Sequence, residues 1–257
     1  MTLSLPIAQE PAQSPAARSS INDGCELMVV MPVFNEQASI RKVVMEWFQE
    51  IENWTDHFIF LAIDDGSKDE SLLKLKQLQK QLGSRLEIVS RPNKGHGQSC
   101  LEGYRTACER GIPYVMQIDS DGQCDPQYFY RLWRVHQNHD VIYGHRKVRD
   151  DGFRRVLASA ILKLSILFTM GVWCVDANVP YRLMSTESLK PILPKIPDDF
   201  VLANVGLAVL LKWDKKIRHQ SIPIRFRDRY GGEPSVRLAK FGEKALELFG
   251  QLRNLRS

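Results

Sequence analysis

The chain lacks the features that would staple or anchor it. Its five Cys, at 25, 100, 108, 124 and 174, are odd in number, scattered and without a C-x-x-C pair. That spacing argues against a disulfide frame and a zinc site, and it fits reduced thiols in a cytosolic protein. No apolar stretch follows a basic start at the N-terminus. Met1 to Ser20 is rich in Ala, Pro, Ser and Gln, which excludes a secretory signal and predicts a disordered lead-in over residues 1–24. No run reads as a clear membrane span. The nearest, Leu157–Val175, is interrupted by Lys163 and small polar groups, so it predicts a buried or interfacial helix. No G-x-G-x-x-G follows the first predicted strand, which weakens the reading as a dinucleotide oxidoreductase. The charge excess is small, 35 basic against 30 acidic residues. A net +5 is no nucleic-acid signature, but it is compatible with phosphorylated ligands or an anionic membrane surface. There is no internal repeat.

What is present is ordinary globular composition, 44% hydrophobic and 25% charged over 257 residues, enough to bury a full core. From Leu27 onward, strand-like and helix-like stretches alternate. Continuous apolar runs at Leu27–Met31, Phe58–Ile63, Leu86–Val89, Tyr114–Ile118 and Val141–Tyr143 predict strands. Between them, helical spacing appears over Gln37–Ile51, Asp69–Leu82 and Gln98–Arg110, the first with Ile40, Val43, Val44, Trp47 and Ile51 on one stripe. Apolar strands separated by helices imply an α/β fold whose mostly parallel sheet is covered on both faces. After about Ala177 the alternation weakens. Pro180–Met184 and Ile217–Arg227 read as extended, and Thr186–Leu193 and Leu202–Trp213 as helical. Val236–Leu255 reads as an amphipathic helix with Lys and Arg on its polar face.

Ligands of such sheets sit at the carboxyl ends of the strands. Three of these ends carry unusual polar chemistry: Pro32-Val33-Phe34-Asn35-Glu36, Asp64-Asp65-Gly66-Ser67 and Asp119-Ser120-Asp121-Gly122-Gln123. One acidic strand end is a helix cap, and Ser67 and Asp125 are read that way. Three on one rim are read as a site. Residues i and i+2 of a strand share a face, so Asp119 and Asp121 project together. Two adjacent carboxylates are costly unless a cation neutralises them, and oxygen ligands select Mg2+ or Mn2+.

Together with Asn93-Lys94-Gly95-His96-Gly97, Gly144-His145-Arg146 and Arg229-Tyr230-Gly231-Gly232-Glu233, these motifs resemble family 2 glycosyltransferases of the GT-A fold. Within that family the chain looks most like the polyprenyl-phosphate sugar synthases, over Met28 to about Ser235. The resemblance implies one transferase domain over 25–235 and a C-terminal amphipathic helix over 236–257. It implies a GDP- or UDP-linked sugar as donor and inverting hexosyl transfer to a polyprenyl phosphate. By the same resemblance Pro32, Phe34, Glu36, Ile63 and Asp65 hold base and ribose, with plain core packing equally open for Ile63. Asp119, Asp121 and Gln123 would carry Mg2+ or Mn2+. Ser120 would give a backbone contact, and Arg146 and Arg229 would meet the diphosphate side. His96 is read as a neighbour and not as catalytic. Two departures stand out. Phe34 replaces a frequent Tyr, and Pro234 precedes the place where Val236 or Arg237 stands for an expected Lys.

A lipid phosphate is already anionic and needs no strong base, whereas a sugar hydroxyl does. For a hydroxyl of a glycan or glycolipid the base candidates are Asp198 and Asp199, foremost Asp199, with Asp176 behind them. Capping of a helix near Phe200 is the other reading of Asp198-Asp199. A third alternative is an inactive nucleotide-sugar-binding protein. Arg154 and Arg155 before an apolar segment suit an interfacial helix. The expectation is a peripheral protein at the cytoplasmic face of a membrane, without nucleic acid, alone or with a second copy or a membrane-anchored partner. Core packing of Leu157–Val175 is the rival.

Overall fold

A computed structural model describes residues 24–146, 164, 166–174, 177–200, 202–231 and 241–255. Strand β1 (Leu27–Val33) is apolar throughout and buried throughout. It lies between β2 (Phe58–Asp64) and β4 (Tyr114–Gln117), both parallel to it, and β2 carries the parallel β3 (Leu86–Ser90) outside. Alternation sends its side chains to two cores. Leu27, Val29, Met31 and Val33 join α1 (Ile40–Glu52), α2 (Ser71–Leu82) and α4 (Phe129–Trp133) on one face. Met28 and Val30 meet α3 (His96–Glu109) and α6 (Ala203–Trp213) on the other. Both faces are therefore covered, as continuous apolar strands require. The α1 stripe of Ile40, Val43, Val44, Trp47 and Ile51 is buried as its spacing predicts.

Among the described residues seven strands form the sheet, in the order β3-β2-β1-β4-β6-β5-β7. β5 (Val141–Arg146) and β7 (His219–Ile224) are parallel to each other. Among the described residues only β6 (Arg182–Ser185) is reversed, pairing antiparallel with β4 and β5. A short helix α5 (Thr186–Leu189) follows it, and α7 (Phe241–Asn254) closes the chain with Leu248 and Leu252 in the core.

The order turns between β1 and β4, and ligands of such sheets sit in the crevice at the carboxyl ends of the strands at that point. Pro32 fits this geometry. β4 leaves the ladder after Gln117 pairs with Val30, so the N–H that Pro32 lacks would have had no strand partner. Its carbonyl instead accepts from Ser120 Oγ at 2.8 Å.

Two helix starts differ from the sequence reading. α2 begins at Ser71, so Ser67 is not its cap. Asp69 accepts from the N–H of Ser71 at 2.9 Å and of Gln37 at 3.0 Å, which delays the helix. Ser67 Oγ instead accepts from Asn35 N at 3.0 Å. α6 begins at Ala203 with Leu202 as its first flanking residue and no side-chain cap, so Asp198-Asp199 do not cap it. Asp125 does cap, accepting from Gln127 N at 3.1 Å.

Candidate active site

The loops after β1 and β2 are laced side by side on the rim. Asn35 adopts a left-handed backbone, φ 55°, which Asn tolerates better than most residues. Its Oδ1 accepts from Lys68 N at 2.8 Å, and Glu36 N donates to Ser71 Oγ at 2.7 Å. These bonds present Glu36 as a buried carboxyl at the crevice. Its Oε2 accepts from Ser39 Oγ at 2.8 Å, and Ser39 Oγ also lies 2.9 Å from the carbonyl of Ser120, tying the β1 and β4 ends together.

Arg229 sits between two of the rim carboxyls. Its Nη2 pairs with Glu36 Oε1, and its Nη1 lies 3.3 Å from Asp121 Oδ2. The loop that carries it is pinned over the Asp pair. Tyr230 N donates to the Asp121 carbonyl at 3.0 Å, Arg227 N donates to the Gln123 carbonyl at 2.9 Å, and Tyr230 OH reaches Glu46 at 2.9 Å. Gly122, at φ 86°, lies under the Tyr230 ring. A Cβ there would stand 2.4 Å from the ring, so no other residue fits without moving the loop.

Burial pushes the Glu36 carboxyl above its ordinary pKa, against the pull of Ser39 and Arg229. Burial also raises Asp121, and the neighbouring charge of Asp119 adds to it. Asp119 is the more open of the pair, and its Oδ1 lies 3.0 Å from His96 Nε2. The donor chemistry fits a divalent cation of the Mg2+ or Mn2+ kind. Such ions take one or two carboxylates and complete their shell with water and substrate phosphate. Asp119 and Asp121 could supply the carboxylates, and the Gln123 amide carries a third oxygen of the kind they accept. Among the described residues no three His, Cys, Asp or Glu side chains converge as a self-sufficient cage.

The other expected residues fall as follows. Asp65 is on the rim and buried. It pairs with Arg91 and accepts from Lys94 N and Gly95 N, both at 2.8 Å. Arg91 was not singled out from the sequence. It also binds Glu102 at 2.6 Å and Ser99 at 3.1 Å, fixing Asp65 against α3. A basic residue directly after β3, opposite an Asp pair, was the available signal. Phe34 is half-buried beside Glu36, whereas the Ile63 side chain is in the core with Val30 and Leu101. Ser120 is buried, its hydroxyl and carbonyl both engaged by the fold. Arg146 ends β5, level with Ile224. Asp198 is an exposed partner of Arg105 at 2.9 Å, in the second half of α3 and on the order of 13 Å along that helix from its rim end. Asp199 is exposed, and its carbonyl accepts from Gln251. Asp198 is thus engaged away from the rim end of α3. Asp176 and the 232–240 stretch lie outside the described residues.

An α/β sheet of this order, with acidic loops gathered at the carboxyl ends of β1, β2 and β4, is the GT-A arrangement. The chain belongs to Glycosyl transferase family 2, whose profile matches residues 28–193. Among curated relatives, undecaprenyl-phosphate 4-deoxy-4-formamido-L-arabinose transferase of Aeromonas hydrophila subsp. hydrophila is 29% identical over 192 residues, 70% of this chain and 58% of its own length. The enzyme of that name from Salmonella choleraesuis is 29% identical over 170 residues, covering 65% of this chain and 50% of the relative. The chain thus spans about half the length of these relatives. Among solved structures, glucosyl-3-phosphoglycerate synthase of Mycobacterium tuberculosis with Mn2+, UDP and phosphoglyceric acid superposes with a TM-score of 0.62 at 18% identity, covering 96% of this chain and 84% of that one. At that identity the likeness speaks for the fold.

Proposed function

We propose that the chain moves a sugar from a GDP- or UDP-linked donor to a polyprenyl phosphate at a membrane surface. The observation that carries the donor half is the crevice itself, where Glu36 and Asp121 pair with Arg229 and Asp119 stands two residues before Asp121. The acceptor half rests on the relatives, whose names specify undecaprenyl phosphate. Their sugar is a pentose derivative, so the proposal reaches glycosyl transfer and leaves the hexose expectation open.

In this reading Glu36 and Asp65 accept bonds from base and ribose, Phe34 packs on the base, and Pro32, Ile63 and Ser120 shape the floor through the backbone. Asp119, Asp121 and Gln123 would hold the cation, which supplies positive charge to the departing diphosphate. Arg229 and Arg146 pair with phosphate oxygens, for which guanidinium geometry is suited. A phosphate oxygen of the acceptor forms the new bond to the anomeric carbon. The bond from that carbon to the donor diphosphate breaks, and the nucleoside diphosphate leaves with the electron pair. The acceptor is already anionic, so no proton has to be removed, and positioning with charge neutralisation suffices. One displacement inverts the anomeric centre.

The test is label transfer. Radiolabelled GDP- and UDP-sugars are offered with Mg2+ or Mn2+ and a polyprenyl phosphate, and the organic phase is counted. Label is expected there, lost with EDTA. Donor turnover with all label left in water would replace the lipid acceptor by a hydroxyl acceptor and require a base such as Asp199.

Membrane contact has a physical basis in residues 166–174. Ile166, Met170 and Cys174 pack into the core, while Phe168 is 78% exposed and Trp173 53%. The segment therefore serves the core and presents an apolar outer side as well. Among the described residues no helix is long and apolar enough to cross a membrane. Phe168→Asp is expected to lower partition onto anionic vesicles by about tenfold or more, because burying a Phe side chain is worth roughly 1.5–3 kcal/mol. Unchanged vesicle sedimentation would assign this side to something other than lipid.

A further inference from the structure

One hydrogen-bond chain runs from the core to the rim, and none of the roles above uses it. Tyr104, fully buried on α3, places its hydroxyl 2.5 Å from Gln117 Oε1 and 3.1 Å from Asn204 Oδ1. Asn204, in the first turn of α6 and 3% exposed, directs its Nδ2 at Cys100 Sγ, 3.7 Å away. Cys100 is fully buried and faces His96 Nδ1 at 3.8 Å. His96 Nε2 then meets Asp119 Oδ1 at 3.0 Å.

The chemistry at the rim end is directional. An ionised carboxylate only accepts, so Nε2 carries the hydrogen in this contact. It carries one in the neutral tautomer that the contact selects and in the charged ring alike, so the bond survives either state. What the contact needs is a fixed ring. Cys100 and Asn204 supply that from behind, through a thiol that can both donate to nitrogen and accept from an amide. The backbone is fixed as well. Gly97, the residue after His96, lies so close to the start of α6 that a Cβ would stand 3.0 Å from the Cβ of Ala203. With Oδ1 held by His96, the other carboxylate oxygen of Asp119 is the one that would meet a cation. Bonds of this kind behind a metal-binding side chain set its orientation, and their loss typically costs 10–100-fold in metal affinity.

We propose that His96 is a positioning residue for Asp119, itself held by Cys100 and Asn204, and that it sets the affinity of the rim for its divalent cation. This rests on the reading of Asp119 as a cation ligand. The test uses the full chain and Mn2+ alone as the probe, with free ion counted by electron paramagnetic resonance, then repeated with UDP and with GDP. His96→Ala is expected to weaken Mn2+ binding by about 10–100-fold. His96→Gln, whose amide nitrogen can stand near the position of Nε2, is expected to recover part of that loss. Cys100→Ala is expected to fall between the unaltered chain and His96→Ala. Thermal melting of each variant shows whether it folds. Full Mn2+ binding by His96→Ala would overturn the proposal alone. Equal losses in the Ala and Gln variants, together with lowered melting, would also overturn it, since that is the mark of packing. An unaltered chain that binds no Mn2+ under any of the three conditions would overturn the cation reading and this inference with it.

Discussion

Asp121→Asn is expected to lower label transfer at least about 10³-fold while melting stays close to that of the unaltered chain, a loss of about 4 kcal/mol in barrier terms. The two halves of this expectation have separate causes. Asn keeps the shape of the side chain, and its Oδ1 can go on accepting from Gln123 N, as Asp121 does at 3.0 Å. Burial and the charge of Asp119 already disfavour the ionised form of Asp121, so removing its charge relieves a strain as it breaks the contact to Arg229. The stability change is therefore expected within about 1 kcal/mol of zero. Transfer has no such compensation, because an amide cannot balance a divalent cation beside a leaving diphosphate. Activity retained at saturating donor would remove Asp121 from the cation site.

Arg229→Ala is expected to push two measurements in opposite directions. Transfer should fall about 10²–10³-fold in kcat/KM, the usual cost of deleting a group that stabilises developing charge. Divalent-cation affinity in the absence of donor should rise, because the guanidinium that competes for Asp121 is gone. A third effect follows from burial. Glu36 loses its ionic partner while keeping Ser39, and an unpaired buried carboxyl costs about 1–3 kcal/mol, so melting should drop. Arg229→Lys keeps charge without the fork that spans Glu36 and Asp121, so it should fall between the two. Cation affinity that fell along with transfer would place Arg229 among the groups that assist cation binding.

The parallel half of the sheet was legible because it obeys a local rule. Strands buried on both faces must be apolar at every position, and Leu27–Val33 and Phe58–Asp64 are nearly so. Helices between them follow from spacing alone, as in α1. The rim carboxylates were legible for a related reason: Asp and Glu directly after an apolar run have nowhere to be except its open end. What escaped was set by distant partners. Nothing near Arg182 announces that β6 runs backwards between β4 and β5. Its fully buried guanidinium donates to the carbonyls of Ala177, Val179 and Asn204 and lies over the Tyr143 ring. The start of α2 moved because Asp69 and Ser71 bind the loop after β1, a contact between separate motifs. The His96 relay joins residues a hundred positions apart, from Tyr104 to Asn204, and no spacing rule reaches that far.

The single reversed strand has a consequence for how such a protein can change over time. β5 ends at Arg146 on the carboxylate rim, and the chain re-enters the sheet at Arg182, level with Gln117 on that same rim. An excursion that departs and returns on one edge can gain or lose length without breaking a rung of the ladder, since β4, β6 and β5 close behind it, provided that Ile166, Met170 and Cys174 keep their places in the core. The loops of β1, β2 and β4 are laced to one another and have no such freedom. Inheritance can therefore vary the connection between β5 and β6 while the opposite wall stays as it is.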